Sequence, residues 1–408
     1  MQVMIVDGYS TGAALARRLA GAGVECVHVR SRPDVRPFLL RTFRGQDYVC
    51  DLGFTEDVTT LANQLSGHHL TRVLAGTESG VLLAETLSRT LGLPTNVPHL
   101  LPARRDKALM AEAVSAAGLA TPHSTVVTTA RAAADWFEAS GLTEAVVKPL
   151  ASAGTDGVTF CTSPEQAARA GHAILSAPNA FGDPNRAVLV QERVHGTEYY
   201  INTVSAAGVH HTAEIWRYTK RVGPAATPVY DFEEPVAPAS AEGRLLTAFV
   251  GKVLDALGIT ETPAHTEVML TSEGPVLIET GARLGGATAP DVVDAHLGLS
   301  QTTLAVTALT DPQSLHSHAA VTGGRPLRCV QFVNHHRGRA SAEALTKITE
   351  LPSVVFAARA ADPGTVLEPT TDLLTSPGYA YLAAPSLTEL TRDYETLRAW
   401  EHEGIHTR

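Results

Sequence analysis

The sequence predicts a multidomain chain that combines α/β and α+β architecture, and three observations support this prediction. Its 408 residues exceed the size of one ordinary domain, so two to four units are expected. The chain opens with a strand, a glycine-containing turn, a helix and a second strand, which together begin a parallel α/β sheet. From Pro326 onward the pattern changes to short strands interspersed with helices, which is typical of a small α+β unit.

Composition narrows the class of protein. The chain is 44% hydrophobic and 18% charged, so it is expected to be globular. A formal charge of −10, without any Lys/Arg-rich run, argues against a nucleic-acid partner. No apolar run approaches the roughly 20 residues of a membrane helix, and no signal peptide is expected. The four cysteines are scattered without a CxxC pair, which indicates reduced thiols in a cytoplasmic protein.

The N-terminal unit is predicted to begin with a strand at residues 3–6, a helix at 13–22 and a strand at 25–29. The intervening turn lacks the GxGxxG spacing of a dinucleotide site, and Arg30 stands where an acidic ribose ligand is wanted. These features predict a structural Rossmann-like layer and argue against a dinucleotide-dependent oxidoreductase.

A later strand, residues 72–76, leads into Thr77-Glu78-Ser79-Gly80 and a helix that runs to residue 91. Open α/β sheets bind ligands at the C-terminal ends of their strands. Glu78 is therefore a candidate substrate contact, and the alternative is a capping role at the start of the following helix.

Two lysines precede a candidate phosphate-binding loop. Lys107 begins a helix over residues 108–117, where a simple exposed lysine is the alternative interpretation. Lys148 ends an apolar strand over residues 145–149, and a loop of small residues follows at 151–157. The free N–H groups of such a loop suit a flap that covers phosphates, although the GK[ST] of a Walker loop is missing. The alternative is a flexible hairpin tip.

A strand over residues 187–194 ends at a hinge before the next strand, 199–204. The backbone groups at such a strand end can pair with an adenine edge, and a carboxylate a few residues later can bind ribose hydroxyls. A further strand is predicted at 209–218, a long loop at 224–238 and a helix at 242–257.

A β-hairpin is predicted to lie at the centre of the site, with strands at residues 266–271 and 275–280 and a turn at 272–274. A symmetric turn sets Glu267 opposite Glu279, with Cβ atoms about 4.5–5.5 Å apart. Like charges in these positions destabilise a sheet, so a divalent cation with oxygen ligands is expected between them. The alternative is an exposed hairpin with two solvated glutamates.

The same register predicts the two faces of the hairpin. The side chains expected in the core are those of Val268, Leu270, Val276 and Ile278. Those expected beside the glutamates are Met269 and Leu277, while Val268 faces Ile278 and Thr271 faces Pro275. After the hairpin, Arg283 can reach an anion at the cation, and Gly285 and Gly286 expose N–H groups.

The rest of the chain is predicted to be helical and then α+β. Helices are expected at residues 290–298 and 302–310. The C-terminal unit is expected to contain strands at 327–333 and 379–383 and helices at 343–350 and 387–403.

Together these segments resemble the ATP-grasp superfamily over the whole chain. The resemblance depends on the order and spacing of Lys107, the VVKP of Lys148, the SAGTDGV loop, the QERVHGTEY hinge, Glu267 and ETGARLGG. The GTES and GLPTN segments, ARLGG after Glu279 and the late PGT turn are most similar to the branch of L-amino-acid ligases. That branch comprises dipeptide synthetases and other carboxylate–amine ligases.

The resemblance implies four units. They are a Rossmann-like pre-ATP-grasp domain (residues 1–105), an ATP-grasp lid with the phosphate flap (106–195), a catalytic ATP-grasp half with the metal site (196–325) and a small C-terminal α+β subdomain (326–408). The lid and the catalytic half would form a two-part nucleotide clamp. The implied enzyme uses ATP and Mg²⁺, or Mn²⁺, to join an amino acid to an amino acid or amine through an acyl phosphate, and releases ADP and phosphate. Its partners would be small molecules, and a homodimer is expected.

The resemblance also assigns a nucleotide site. The phosphates would be held by Lys107 and Lys148, with Lys148 also near adenine. The flap would consist of Ser152, Gly154, Thr155 and Gly157. Adenine would be bound by Glu192 and the backbone of Arg193 and Val194, and ribose by Glu198.

Metal and catalytic residues follow in the same way. Glu267 and Glu279 would bind Mg²⁺, and Arg283 would steady the carboxylate and the transferring phosphoryl group. Arg283, Lys148 and Glu279 are therefore the expected catalytic residues. Relatives such as D-alanine–D-alanine ligase place an asparagine at the position of Gly281, so water or a nearby group is expected to replace that ligand.

Candidate substrate contacts are less specific. They are Glu78, His210, Glu214, Trp216, Tyr218, Lys220, Arg283, Gly285, Gly286 and His296. Trp216 and Tyr218 alternate on one strand and can form an aromatic wall, with core packing as the alternative.

Two other functions remain open at this stage. One is an ATP-grasp enzyme that activates a small acid such as bicarbonate or formate. The other is a nucleotide-binding protein without ligase activity, which would be free to lose the metal glutamates and Arg283 that this chain retains.

Overall fold

The computed structural model describes residues 1–152, 154, 156–224, 228–317 and 324–408. The N-terminal elements are β1 (Gln2–Val6), α1 (Thr11–Gly21), β2 (Glu25–Arg30), α2 (Pro37–Leu40), β3 (Cys50–Phe54), α3 (Val58–Gln64), β4 (Leu70–Ala75) and α4 (Val81–Thr90). The strands form a parallel sheet in the order β3-β2-β1-β4. The Rossmann-like layer predicted from the sequence is thereby confirmed.

The loops that leave β1 and β4 approach each other closely, and glycine makes this approach feasible. A Cβ on Gly12 would lie 2.5 Å from the Cα of Gly76. A Cβ on Gly76 would lie 2.4 Å from the backbone oxygen of Asp7. The contact holds the C-terminal ends of β1 and β4 side by side, and it fixes the loop that contains Glu78.

The next part of the chain forms an antiparallel sheet in the order β5-β8-β6-β7, with two helices packed on it. Its elements are α5 (Lys107–Ala116), β5 (Ser124–Val127), α6 (Ala130–Ser140), β6 (Ala145–Pro149), β7 (Thr159–Cys161), α7 (Pro164–Leu175) and β8 (Val188–Glu192). The sequence specifies the start of α7 clearly, because Ser163 accepts a hydrogen bond from the N–H of Gln166 and proline follows at the first helical position.

In the rest of the chain that the structure describes, eight strands form one continuous antiparallel sheet in the order β13-β12-β9-β10-β11-β14-β18-β16, and β15 pairs with β17 in a separate two-stranded sheet. Up to residue 317 its elements are β9 (Thr197–Ala206), β10 (Val209–Val222), β11 (Pro228–Val236), α8 (Ala241–Ala256), β12 (Pro263–Thr271), β13 (Gly274–Gly281), α9 (Pro290–Leu297) and α10 (Gln301–Thr310). From residue 324 they are β14 (Leu327–Gln331), β15 (Gly338–Arg339), α11 (Ala344–Thr349), β16 (Val354–Arg359), β17 (Val366–Leu367), β18 (Gly378–Ala383) and α12 (Leu387–His402).

The C-terminal unit therefore extends the central sheet instead of adding a separate layer. Its strand β14 pairs with β11, through Phe232 with Val330 and Glu233 with Cys329. The boundary predicted at residue 326 falls within this continuous sheet, and the four domain boundaries stay predictions.

The prediction of a long loop over residues 224–238 is wrong, because most of this segment forms the strand β11. Its buried face carries Val229, Asp231 and Glu233. Asp231 accepts hydrogen bonds from Tyr394 and Arg398 of α12, and Glu233 accepts one from Tyr200. A buried face made of carboxylates has no apolar alternation, so hydropathy does not reveal the strand.

The hairpin of β12 and β13 keeps the predicted pairing of Glu267 with Glu279 but not the symmetric turn. Thr271 pairs with Gly274, Val268 pairs with Leu277, and an irregularity at Ile278 restores the glutamate pairing. Leu277 is consequently buried with Val268, whereas Ile278 lines a cavity beside Lys148. The predicted placement of Ile278 in the core and of Leu277 beside the glutamates is wrong, because an extra residue in one strand shifts the face of its neighbours.

The largest apolar cluster anchors this hairpin to the N-terminal layer. It contains residues of β1, α4, α8, β12 and β13, including Met4, Leu87, Val253, Val268 and Leu277. The glutamates thus lie on strands whose opposite face is fixed in the core.

The cysteines and helices show two further features. Cys26, Cys50, Cys161 and Cys329 are free thiols, and all except Cys50 are buried. In the part of the chain that the structure describes, no helix is long and apolar enough to cross a bilayer.

Candidate active site

The paired glutamates of the hairpin lie on a face shared with His265, because alternate residues of a strand point the same way. Tyr218 donates its hydroxyl to Glu267 at 3.1 Å, and His265 Nε2 lies 3.8 Å from the same carboxylate oxygen. Burial opposes ionisation of Glu267, but His265, Lys220 and the Tyr218 hydroxyl lower its pKa to about 2. Glu267 is therefore an anion at neutral pH.

Lys107 and Lys148 lie near the same glutamates, Lys107 at the start of α5 and Lys148 on β6. Lys107 is the first residue of α5, which Asp106 caps by accepting from the N–H groups of Ala108 and Leu109. Its ammonium lies 2.9 Å from Glu279. Burial, together with the charge of Lys107, lowers the pKa of Lys148 to about 8, and the nearby Glu279 and Glu267 oppose this shift.

A small cavity lies between the lysines and the hinge. Its lining includes Lys107, Met110, Lys148, Leu189, Gln191 and Ile278. Apolar walls with a few polar groups suit a flat heterocycle such as adenine. The assignment of Lys148 to a position near adenine agrees with this lining and remains a prediction.

The hinge residues predicted to bind adenine already have partners. Glu192 accepts a hydrogen bond from the N–H of His123 at 2.9 Å, which ties its carboxylate to the start of β5. Arg193 donates to Glu144 at 2.7 Å and lies over the ring of Phe160. Val194 follows them after the end of β8, and its role in binding adenine stays a prediction.

The carboxylate predicted to bind ribose, Glu198, pairs with Lys220 at 2.6 Å. The ammonium of Lys220 also lies 4.6 Å from the centre of the Tyr230 ring. Burial raises the pKa of Glu198, with Glu267 acting in the same direction and Lys220 opposing it. Lys220, which the sequence suggested as a substrate contact, therefore lies beside the carboxylate that is predicted to bind ribose.

The loop predicted to be the phosphate flap is held by hydrogen bonds to the loop between α7 and β8. Ser152 donates to Asp156 at 2.5 Å, and Asp156 accepts from the N–H of Ala180 at 2.7 Å. Asn179 donates to the carbonyl oxygen of Ala151 at 2.9 Å. Gly154 and Gly157 both have φ of +67°, a conformation that favours glycine. Thr155 lies outside the described residues.

Arg283 and Glu78 form a buried ion pair at the junction with the N-terminal layer. The distance between Arg283 Nε and the Glu78 carboxylate is 2.9 Å, and Arg105 also donates to that carboxylate. The charge of Lys107 acts on Glu78 too, so this ion pair lies beside the glutamate and lysine cluster.

The other predicted substrate contacts are dispersed or buried. Glu214 accepts hydrogen bonds from Asn202, Trp216 and the N–H of Gln301, and burial raises its pKa. His210 is bonded to Ser205 and Asp255. The N–H of Gly285 donates to Gln301 at 2.8 Å, whereas a Cβ on Gly286 would meet nothing within 4 Å. His296 lies on α9, where burial and Arg325 lower its pKa.

Trp216 is a core residue, as the alternative interpretation expected. It is 1% exposed, and its ring packs against Tyr200 and Tyr381. We expect Trp216→Ala to lower the free energy of unfolding by about 3–5 kcal/mol, because it leaves a large cavity. Urea denaturation measures this change, and Trp216→Phe should lose much less. A Trp216→Phe variant with normal stability but altered substrate preference would contradict the structural role.

The site contains residues that the sequence did not single out. Arg105, Tyr230 and His265 all contact the predicted functional side chains. His265 had a usable signal, because it stands two residues before Glu267 on the same strand face. Arg105 and Tyr230 had none, since their contacts depend on tertiary packing.

The residues present fit a divalent cation with few protein ligands. Among the described residues, no group of three or more His, Cys, Asp or Glu side chains is arranged to hold a metal. The carboxylates of Glu267 and Glu279 face each other across the hairpin, and the pKa of Glu267 is lowered to about 2. Mg²⁺ typically takes one or two carboxylates together with substrate phosphates, and this pair matches that number. Glu267 and Glu279 would hold such an ion.

Comparison with known proteins shows which proteins this chain is similar to in sequence and fold. Residues 105–229 match the family described as phosphoribosylglycinamide synthetase, ATP-grasp (A) domain. Dapdiamide A synthase of Enterobacter agglomerans is 32% identical over 413 aligned residues, which cover 99% of this chain and 96% of that protein. The L-amino acid ligase from Bacillus licheniformis superposes with a TM-score of 0.76 at 19% identity, over 98% of this chain and 97% of the other. N5-carboxyaminoimidazole ribonucleotide synthetase from Thermotoga maritima gives a TM-score of 0.67 at 14% identity, over 98% of each chain.

The fold is that of an ATP-grasp enzyme, and the chain belongs to the ATP-grasp superfamily. Within the superfamily it is an ATP-dependent carbon–nitrogen ligase of the carboxylate–amine ligase family. The resemblance to L-amino-acid ligases that the sequence indicated is confirmed. Enzymes of this superfamily use ATP, generally with Mg²⁺, and such ligases act on small molecules.

Proposed function

We propose that this enzyme joins the carboxylate of an amino acid to the amino group of a second amino acid or of another amine. The observation that supports this most is the convergence of Lys107, Lys148, Glu267, Glu279 and Arg283 around one end of the hairpin. Two similar proteins are named as a dapdiamide A synthase and an L-amino acid ligase, and these names agree with amide formation on amino acids.

The reaction explains why such an enzyme needs charged side chains that position the substrates and stabilise developing charge. A carboxylate oxygen attacks the γ-phosphorus of ATP, the bond to the β,γ-bridging oxygen breaks, and ADP leaves. The amine then attacks the carbonyl carbon of the acyl phosphate, loses a proton, and displaces phosphate. Catalysis of phosphoryl transfer is mostly positioning and electrostatic stabilisation. When bound, Mg²⁺ would neutralise charge on the phosphates.

Each residue then has a defined task. Lys107 and Lys148 bind the phosphates, and Arg283 orients the carboxylate toward the γ-phosphorus. Glu267 and Glu279 provide the cation's protein ligands. The flap that contains Ser152 and Gly154 covers the phosphates and excludes water, which would otherwise hydrolyse the acyl phosphate.

The test is ADP and phosphate release with Mg-ATP and all pairs of proteinogenic amino acids, followed by mass measurement of the products. We expect release that requires at least one amino acid, and a product mass equal to the two substrates minus water. Bicarbonate and formate are included as alternative acids. Turnover with either of them and with no amino acid would exclude the proposal.

The assembly state belongs to the same proposal. A homodimer, expected from the resemblance, can be checked by size-exclusion chromatography with light scattering. A mass of 43.0 kDa would indicate a monomer.

A further inference from the structure

Arg283, the residue proposed to orient the acyl substrate, is held by an acidic residue of the N-terminal layer. Its Nε donates to Glu78 Oε2 at 2.9 Å, and its Nη1 donates to the carbonyl oxygen of Leu284 at 2.8 Å. The side chains of Arg283 and Glu78 are only 18% and 11% exposed. These two bonds fix the plane of the guanidinium, and among the described residues none accepts from its Nη2.

Glu78 is in turn fixed from its other side by Arg105. The Nη1 of Arg105 donates to the Glu78 backbone oxygen at 3.0 Å and also to Glu78 Oε1. The guanidinium of Arg105 lies over the ring of Phe181, 5.4 Å from its centre. Burial opposes ionisation of Glu78, but Arg105, Arg283 and Lys107 together hold its pKa below the ordinary value. Both carboxylate oxygens therefore have cationic partners, which leaves little capacity for a substrate ammonium group.

Gly281 makes room for this arrangement. A Cβ on Gly281 would lie 2.7 Å from Glu78 Oε2 and 3.3 Å from Arg283 Nε. The backbone of Gly281 is part of β13 and does not have the positive φ that favours glycine. A side chain at position 281 would therefore push the Glu78 carboxylate away from Arg283.

We propose that Glu78 is a positioning residue that holds Arg283 in its working orientation, and that Gly281 is the residue that admits it. This inference rests on the proposed function, in which Arg283 contacts the acyl substrate. A free arginine side chain loses rotamer entropy when it is immobilised. Glu78 immobilises it before the substrate binds, and such preorganisation favours the transition state.

The first test compares Glu78→Gln with a matched control, Glu85→Gln. Glu85 is also a buried carboxylate with an arginine partner, but that partner is Arg104, which donates its Nε to Glu85 at 2.9 Å. With the best amino-acid pair from the screen, Glu78→Gln should lower kcat by about 10- to 100-fold and leave the KM for ATP unchanged. Glu85→Gln should lower the Tm and leave kcat unchanged. Equal kcat in Glu78→Gln and the wild type would overturn the proposal.

A double-mutant cycle separates positioning from direct substrate contact. Lysine at position 283 keeps the charge but cannot use a guanidinium Nε, so Glu78→Gln should change kcat less than about twofold in an Arg283→Lys background. Independent effects that multiply would argue against the proposal. So would a rise in the KM of one amino acid with kcat unchanged, because that result indicates that Glu78 touches the substrate.

Gly281→Ala should disrupt the contact between Glu78 and Arg283 without replacing either residue. It keeps both Glu78 and Arg283 but places a methyl group in the space of the carboxylate. We expect it to reproduce the kcat loss of Glu78→Gln.

Crystal structures of both variants give a readout that needs no turnover. Arg283 should leave its wild-type position in each variant, and an unmoved guanidinium would reject the positioning role. If no amino-acid pair supports turnover, the proposed function fails, and the crystal structures still decide the role of Glu78.

Discussion

Replacement of Glu279 by alanine is expected to abolish the ADP release that depends on an acyl substrate. Glu279 faces Glu267 across the hairpin and pairs with Lys107 at 2.9 Å. Its removal would take away one of two carboxylates proposed for the cation and leave Lys107 without its counter-charge. A loss of about 10³-fold or more in kcat corresponds to about 4 kcal/mol, which is within what metal-assisted charge stabilisation supplies.

The fold of this variant should survive, because Glu279 is 31% exposed and makes one ion pair. Glu273→Ala is the matched control, since Glu273 is an exposed carboxylate at the turn of the same hairpin. Titration with Mn²⁺, followed by electron paramagnetic resonance, should show weaker binding in Glu279→Ala than in Glu273→Ala. Full ligase activity in Glu279→Ala would remove the metal assignment.

Local sequence signals were sufficient for the elements that bring the main charges together. The strand predicted at residues 145–149 has the same bounds in the structure, because apolar residues, Lys148 and a terminal proline mark it without ambiguity. The pairing of Glu267 with Glu279 was predicted from a symmetric turn that the structure does not have, and it is kept because the irregularity at Ile278 offsets the one-residue shift at the turn.

Elements with polar buried faces could not be predicted in this way. Strand β11 buries Asp231 and Glu233 against partners from α12, Tyr200 and Gln331. The irregularity at Ile278 has a similar cause, because its effect on packing depends on the neighbouring sheet. Both features require knowledge of the tertiary partners, which hydropathy does not contain.

In the candidate site, too, local sequence identified some residues but could not reveal contacts between distant parts of the chain. The identities of Lys107, Lys148 and the two glutamates followed from motifs along the chain. The contact between Glu78 and Arg283 spans 205 residues, so no local pattern could reveal that Glu78 is a partner of Arg283. The sequence suggested a substrate contact for Glu78, and the structure shows that its carboxylate forms an ion pair with Arg283.

The second large effect is expected at Lys148, whose charge should control the affinity for ATP. Burial lowers the pKa of Lys148 to about 8, so the ammonium is mostly protonated at pH 7 and mostly neutral at pH 9. The KM for ATP should therefore rise above pH 8, by up to about tenfold per pH unit. Lys148→Met should show a high KM at pH 7 that no longer depends on pH in this range.

As the pH rises, the free energy of unfolding should increase while the affinity for ATP falls. Because the folded pKa of about 8 lies below the ordinary value of 10.5, the unfolded chain binds more protons between these pH values. The contribution of Lys148 to the free energy of unfolding therefore increases as the pH rises from 8 to 10.5. At pH 7 the buried ammonium destabilises the free enzyme, so Lys148→Met should have a higher Tm than the wild type.

Lys252→Met is the appropriate control for both measurements, since Lys252 is an exposed lysine of α8. It should change neither the Tm by more than about 1 °C nor the pH dependence of the KM, because surface substitutions usually alter stability by less than about 0.5 kcal/mol. A Lys148→Met variant that binds ATP normally at pH 7 would show that the phosphates do not need this ammonium. A Lys148→Met variant that binds ATP weakly and is also less stable would mean that Lys148 maintains the fold. In that case Lys148 would not lower the stability of the free enzyme in exchange for ATP binding.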